Sequence, residues 1–151
     1  MLRQLLVGAS ASIFNIAIHA LVMAIVIRVT RAVHEITTSH PSFRLIAVMI
    51  STMSVLMLAH LAEVLVWASI YAAIGVAPAG GGRVDFYFAF VNYTTLGYGD
   101  IAPVAQWRLL GPLTAMNGVL LFGWSTAVIF EVLRSVLTTS RSETERSTWR
   151  A

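Results

Sequence analysis

Residues 4–27 form an uncharged run rich in Leu, Ile, Val and Ala. At about 1.5 Å per residue, a helix of that length crosses a hydrocarbon core of about 30 Å. Arg3 precedes the run, as a basic residue would in a secretory leader, but a leader's apolar region is only about 7–15 residues long. The run is therefore read as a membrane span. Residues 28–44, with Arg28, Arg31, His34, Glu35, His40, Pro41 and Arg44, read as a polar connector. A second apolar run covers 45–76, with His60 and Glu63 as its breaks. Gly75 and Pro78 mark its end, and Ala79-Gly80-Gly81-Gly82 is a flexible turn. The apolar stretch 86–99 is too short to span, and such runs are buried or re-entrant. After a loop over 101–111, Pro112 suits the first turn of a helix, and the last span runs to about residue 137. The tail, 138–151, is polar with alternating Arg and Glu, and is expected to be a frayed helix end or disordered. The pattern predicts an all-α membrane protein with three transmembrane helices and a re-entrant segment between the second and third. Its parts are an N-terminal span with its connector (1–44), a central unit (45–137) and a tail (138–151).

Composition agrees with lipid as the main surroundings. Of 151 residues, 58% are hydrophobic and 11% charged, and the mean hydropathy is +0.79. A soluble domain carries about a quarter charged residues. The chain has no cysteine, which excludes disulfides and thiolate metal sites. Every basic side chain other than histidine is arginine, and the net charge of +3 is too small and dispersed for a nucleic-acid partner. Arg28, Arg31 and Arg44 lie in the connector, and Arg134, Arg141, Arg146 and Arg150 near or beyond the end of the last span, so these two segments share one side. The positive-inside rule makes that side cytoplasmic, with the N-terminus and both edges of the re-entrant segment external. The absence of lysine and the compact size suggest a bacterial inner membrane. No span repeats arginine at every third position, as a voltage sensor would. No nucleophile, paired-carboxylate or metal-ligand constellation points to an enzyme, a cofactor or an organic substrate.

The informative segment is Tyr93-Thr94-Thr95-Leu96-Gly97-Tyr98-Gly99-Asp100. Alternating glycine permits backbone conformations that residues with a Cβ resist. Non-helical backbone at membrane depth must be buried in protein or line a watery path. If its carbonyls face one way, it makes a ladder of oxygen ligands for a dehydrated cation. The preceding residues, 84–94, read as a short apolar helix whose C-terminal dipole end favours a cation.

Thr94 to Asp100 resembles the selectivity-filter signature of potassium channels, and 45–137 looks like their two-helix pore module with one extra N-terminal span. The resemblance implies an outer helix, a pore helix, a filter loop and an inner helix. It also implies a homotetramer in the lipid bilayer, because one chain supplies one loop and the filter needs four. By resemblance, the carbonyls of Thr95, Leu96, Gly97 and Tyr98 and the Thr95 hydroxyl coordinate permeant potassium. Leu96 stands where Val or Ile is commoner. Thr94, Gly99 and Asp100 complete the filter, Tyr87 takes the place of the aromatic that holds the aspartate, and Phe88 packs behind. Val91 stands where relatives often have glutamate, so Tyr87 and Asp100 are expected to brace the outer filter alone. Gly118 and Gly123 match inner-helix glycines in spacing, as a hinge or as close-packing positions. Thr126 is a candidate cavity residue, and Glu131 either draws cations to the inner mouth or pairs with Arg134.

Two polar faces need partners. His60, Glu63, Trp67 and Tyr71 share one face of the second span, and an acid at that depth costs at least about 2.5 kcal/mol on insertion scales. Gly8, Ser12, Asn15 and His19 form a stripe on the first. These faces are expected to meet, with Glu63 paired to His60 or His19, as a pH sensor or as glue between helices. Three functions follow: a potassium-selective channel, a less selective cation pore, or a non-conducting membrane interaction protein that keeps the pore fold. Tyr98 and Asp100 favour the first.

Overall fold

The computed structural model describes residues 1–34, 41–77 and 81–148. The middle of the connector, including Glu35 and His40, and part of the glycine-rich turn, including Ala79 and Gly80, lie outside the described residues. The described residues are helical, with no strand: α1 (Leu2–His34), α2 (Pro41–Ile74), α3 (Gly82–Tyr93), a 3₁₀ turn (Ala105–Trp107) and α4 (Leu110–Thr148). Three stretches are long and apolar enough to cross a membrane, Leu2–Val29, Leu45–Ile74 and Ala105–Thr138, so the chain is a multi-pass membrane protein. At 12 residues, α3 is only about 18 Å long and cannot cross.

Two expectations about helix ends need correction. α1 runs on through Arg28 and Arg31 to His34, and α2 starts at Pro41, so much of the expected connector is helix. α4 continues through the tail to Thr148, where fraying or disorder was expected. A helix satisfies its own backbone groups in lipid and in water alike, so it need not stop where polarity begins. Arg and Glu are also good helix formers. Pro112 sits in the first turn of α4, where its missing N–H costs nothing.

α1 and α4 run side by side in the same direction. Their contacts climb in step, from Gln4 with Leu109 through Asn15 with Asn117 to His19 with Ser125. α2 fills the space between them, and α3 inserts from the end where α2 finishes and α4 begins. One face of α1, formed by Gly8, Ala11, Asn15, His19, Met23 and Val26, is buried at a spacing of three to four. Ser12 is only half-buried, and Ala11 takes its place in the buried stripe. The apolar core lies in two parts. One surrounds Trp67, Tyr71, Phe88, Trp107 and Leu110; the other holds Met23, Val26, Leu56, Val128 and Val132. A polar layer separates them.

Candidate functional site

α3 ends at Tyr93, and Thr94 caps it with its N–H on the Phe90 carbonyl at 3.0 Å and its hydroxyl on the same oxygen at 2.8 Å. Beyond it, φ is positive at Thr95 (59°), Gly97 (57°) and Gly99 (77°), and at neither of the residues between. Thr95 is the only non-glycine with positive φ among the described residues. A β-branched residue resists that region, and backbone strain of this kind collects at functional sites. Two consecutive N–H groups, those of Leu96 and Gly97, both donate to the Val91 carbonyl, at 3.0 and 3.3 Å. Alternating backbone handedness makes successive N–H groups converge in this way. Because each trans peptide sets its C=O opposite its N–H, the carbonyls of Thr95 and Leu96 face away from α3. Residues 95–100 are all exposed on the single chain.

The segment is anchored on both sides. Tyr87 Oη donates to Asp100 Oδ2 at 2.7 Å. That bond, then partial burial, then the Asp100 charge and Tyr98, raise the Tyr87 phenol above its ordinary pKa of 10.0. Val104 N donates to the Val76 carbonyl at 3.0 Å, and buried Trp107 donates through Nε1 to the Ile74 carbonyl at 3.1 Å. The Arg3 guanidinium lies 4.9 Å from the centre of the Trp107 ring, and Leu109 N donates to Gln4 Oε1 at 2.9 Å. The extra span thus holds the loop that leaves the segment. Phe88 is buried against Tyr71, with ring centres 5.5 Å apart. The Tyr71 hydroxyl meets Thr114 Oγ1 at 2.6 Å.

Behind the segment the polar faces of α1 and α2 meet. Glu63 binds both candidate histidines rather than one: Oε1 lies 2.7 Å from His19 Nδ1, and Oε2 lies 3.1 Å from His60 Nδ1. The Tyr93 hydroxyl also donates to Glu63 Oε2 and lies 2.9 Å from His60 Nδ1. Ser125 on α4 touches both histidines through Oγ, at 2.9 Å from His60 Nε2 and 3.3 Å from His19 Nε2. Asn117 Oδ1 accepts from Asn15 Nδ2 at 3.2 Å and from Trp67 Nε1 at 3.1 Å. His19, His60 and Glu63 are the one group of side chains near enough to share a metal among the described residues. Their 2.7 and 3.1 Å separations are those of hydrogen bonds, since ligands on one tetrahedral zinc stand about 3.3 Å apart. Sequence reasoning did not assign roles to Tyr93 and Ser125 here. The demand of Glu63 for partners was the available signal.

Gly118 is buried where a Cβ would strike the Tyr93 carbonyl oxygen and come within 3.3 Å of the Tyr93 ring. That is a close-packing position between α4 and the end of α3. Gly123 has nothing within 4 Å of an added Cβ. Thr126 is exposed on the single chain and donates to the Phe122 carbonyl at 2.9 Å. Glu131 and Arg134 are exposed.

No curated protein and no solved structure matches the chain. An ion channel family model matches residues 59–135, from the middle of α2 through α3 and the anchored segment to the later turns of α4. With about half of its length covered, and all of the re-entrant segment inside the match, the chain belongs to that ion channel family.

Proposed function

We propose that four copies of this chain assemble around a common axis into a potassium-selective channel, with the carbonyls of residues 95–98 as the ion ligands. The supporting observation is the backbone that leaves α3. Its φ changes sign at each step from Thr95 to Gly99, and two consecutive N–H groups turn back to Val91. The matching carbonyls turn outward, and a ring of such oxygens can replace the hydration shell of a potassium ion. One chain supplies one strand of that ring, and closed symmetry supplies the rest. Leu96 and Tyr98 are 55% and 69% exposed on the single chain, as expected of side chains that pack in an assembly. The Tyr87–Asp100 bond braces the outer end, and the C-terminal end of α3 favours a cation at the inner end of the segment. The arginine distribution supports a loop on the outside and a C-terminus in the cytoplasm of a cell membrane.

The test is flux from purified protein in liposomes, together with native mass spectrometry of the assembly. Expected are a tetramer, passage of potassium far above sodium, and loss of flux in Gly97→Ala. Equal sodium passage would leave a less selective cation pore. No flux from a folded protein would leave a membrane interaction protein with a pore fold. Either result overturns the proposal.

A further inference from the structure

The start of α4 borrows a cap from another helix. The Leu109 carbonyl accepts the first helical bond, from Leu113 N at 3.1 Å, so Leu109 is the N-cap. In a capping box the third residue of the helix, a Glu or Gln, reaches back to the N-cap N–H. Here that residue is Pro112, whose ring carries no acceptor. The acceptor comes from α1 instead, where Gln4 Oε1 lies 2.9 Å from Leu109 N. Next to it, the Arg3 guanidinium lies 4.9 Å from the ring centre of buried Trp107. One turn further along both helices, a Cβ at Gly8 would strike Leu113 Cδ1. α1 and α4 therefore meet there as closely as a small residue allows.

The opposite side of the same α4 turns is fitted to the end of α3, since 3.6 residues per turn set Gly111 and Gly118 across the helix from Leu109. A Cβ at Gly111 would come within 2.9 Å of Asn92 Oδ1. Asn92 is itself held, with Nδ2 donating to the Phe88 carbonyl at 2.7 Å. Two turns later, Gly118 leaves room for the Tyr93 carbonyl. Asn92 and Tyr93 lead directly into the re-entrant segment, and the Asn92 carbonyl accepts from Thr95 N at 2.9 Å.

We propose that Arg3, Gln4 and Gly8 are positioning residues for residues 95–100. By this account α1 is a clamp that fixes the start of α4, and through it both ends of the segment. The inner end is reached through Gly111 and Asn92. The outer end is reached through the loop over 101–109, which Arg3 and Gln4 grip at Trp107 and Leu109. Without the Gln4 acceptor the Leu109 N–H has to turn to water, and the α4 turn that bears on Asn92 loosens with it. α1 then does more than anchor the unit that follows it in the membrane. The consequence for permeation rests on the channel reading; the fit of α1 to α4 does not.

The test is amide hydrogen exchange of the full chain in lipid bilayers, read by NMR at Leu109, Leu96 and Gly97, with potassium and sodium flux measured on the same samples. Gln4→Leu removes the acceptor. Loss of one hydrogen bond of ordinary strength speeds exchange at Leu109 by about fivefold. Leu96 and Gly97, which donate to Val91, are expected to speed up with it, while the middle of α2 keeps its wild-type rate. The ratio of potassium to sodium flux falls in the same variant. Gln4→Glu, which keeps an acceptor oxygen at that place, restores both readings. Arg3→Gln, which removes only the contact with Trp107, moves both in the direction of Gln4→Leu. Faster exchange at Leu109 with Leu96 and Gly97 unchanged makes α1 an anchor alone and overturns the proposal. So does a wild-type rate at Leu109, or a Gln4→Glu protein that behaves as Gln4→Leu. Should Gln4→Leu fail to fold, Arg3→Gln decides by whether Leu96 and Gly97 respond. A chain that shows the exchange pattern but conducts nothing sinks the channel proposal and leaves the clamp. A conducting chain whose Leu96 and Gly97 ignore Gln4 sinks the clamp and leaves the channel.

Discussion

Residues 95–100 and the His19–Glu63–His60–Ser125 ring lie at opposite ends of the Tyr93 side chain and backbone, and they are built in opposite ways. The ring is satisfied within one chain: each of its members contacts two others at hydrogen-bond distance. The segment 95–100 is exposed, and its shape is held by backbone bonds to Val91 and by Tyr87. A polar group in the membrane must be paired or face water. The ring takes the first course and the segment the second. A single copy therefore folds around the ring, while the segment acquires its surroundings only beside other copies or along a watery path. Substitutions in the two regions should accordingly fail differently, the first in folding and the second in transport.

The hardest blow to that contrast falls on the ring. Glu63→Ala leaves His19, His60 and Tyr93 without their common acceptor. Removing one partner of a buried pair costs about 3–5 kcal/mol. We expect little folded protein and a clear drop in melting temperature in detergent. An unchanged melting temperature would mean that the ring does not hold α1 to α2.

Next comes the joint between the regions. A Cβ at Gly118 collides with the Tyr93 carbonyl oxygen, which is backbone and cannot swing aside. Overpacking of this kind costs about 1–3 kcal/mol. Gly123 has open space, and alanine there gains up to about 1 kcal/mol of helix propensity. Gly118→Ala should lower thermal stability and Gly123→Ala should hold or raise it. Should Gly123→Ala lose flux with its stability intact, the hinge would belong at Gly123 and not at Gly118.

Gly97→Ala belongs to the other region and should show the reverse profile. Its nearest neighbour to an added Cβ is the Thr95 carbonyl oxygen at 4.0 Å, so the residue is not excluded by space. The cost lies in φ of 57°, about 1–2 kcal/mol for a residue with a Cβ. We expect a loss of flux of about tenfold or more, with the melting temperature of the protein close to wild type. A matching fall in melting temperature would show that the segment is part of the folding core after all.

The contrast also governs what could be read in advance. The three spans and the short α3 were legible because a continuous apolar run has few other uses. The pairing of Glu63 was legible because an acid at that depth demands a partner. The choice between His60 and His19 was not, since both belong to one ring that also needs Ser125 from a third helix. Tyr93 was hidden for another reason. In the sequence it reads as the residue that leads into the glycine-alternating segment, while its hydroxyl reaches Glu63 and His60 on α2. The left-handed φ at Thr95 runs against the preference of a β-branched residue, so no local rule could have found it. The long ends of α1 and α4 were missed because polarity marks where lipid stops, not where a helix stops.

The smallest expected effect is at Tyr87, where the segment is braced from the outside. Tyr87→Phe removes one exposed hydrogen bond to Asp100 and nothing from the core, so folding should be unaffected. The readable change is in transport, as a faster decline of flux during sustained passage, by at most a few fold. Its pH dependence fixes the cause. The phenol's pKa is raised above the ordinary 10.0, first by the bond to Asp100. A raised pKa means that the bond is fully present below the ordinary value and is lost as pH climbs through the higher one. The difference between wild type and Tyr87→Phe should therefore be constant from about pH 7 to 9 and shrink only in stronger alkali, above about pH 10. A difference that already varies between pH 7 and 9 would show that the phenol is not what sets it, and the brace at Tyr87 would lose its support.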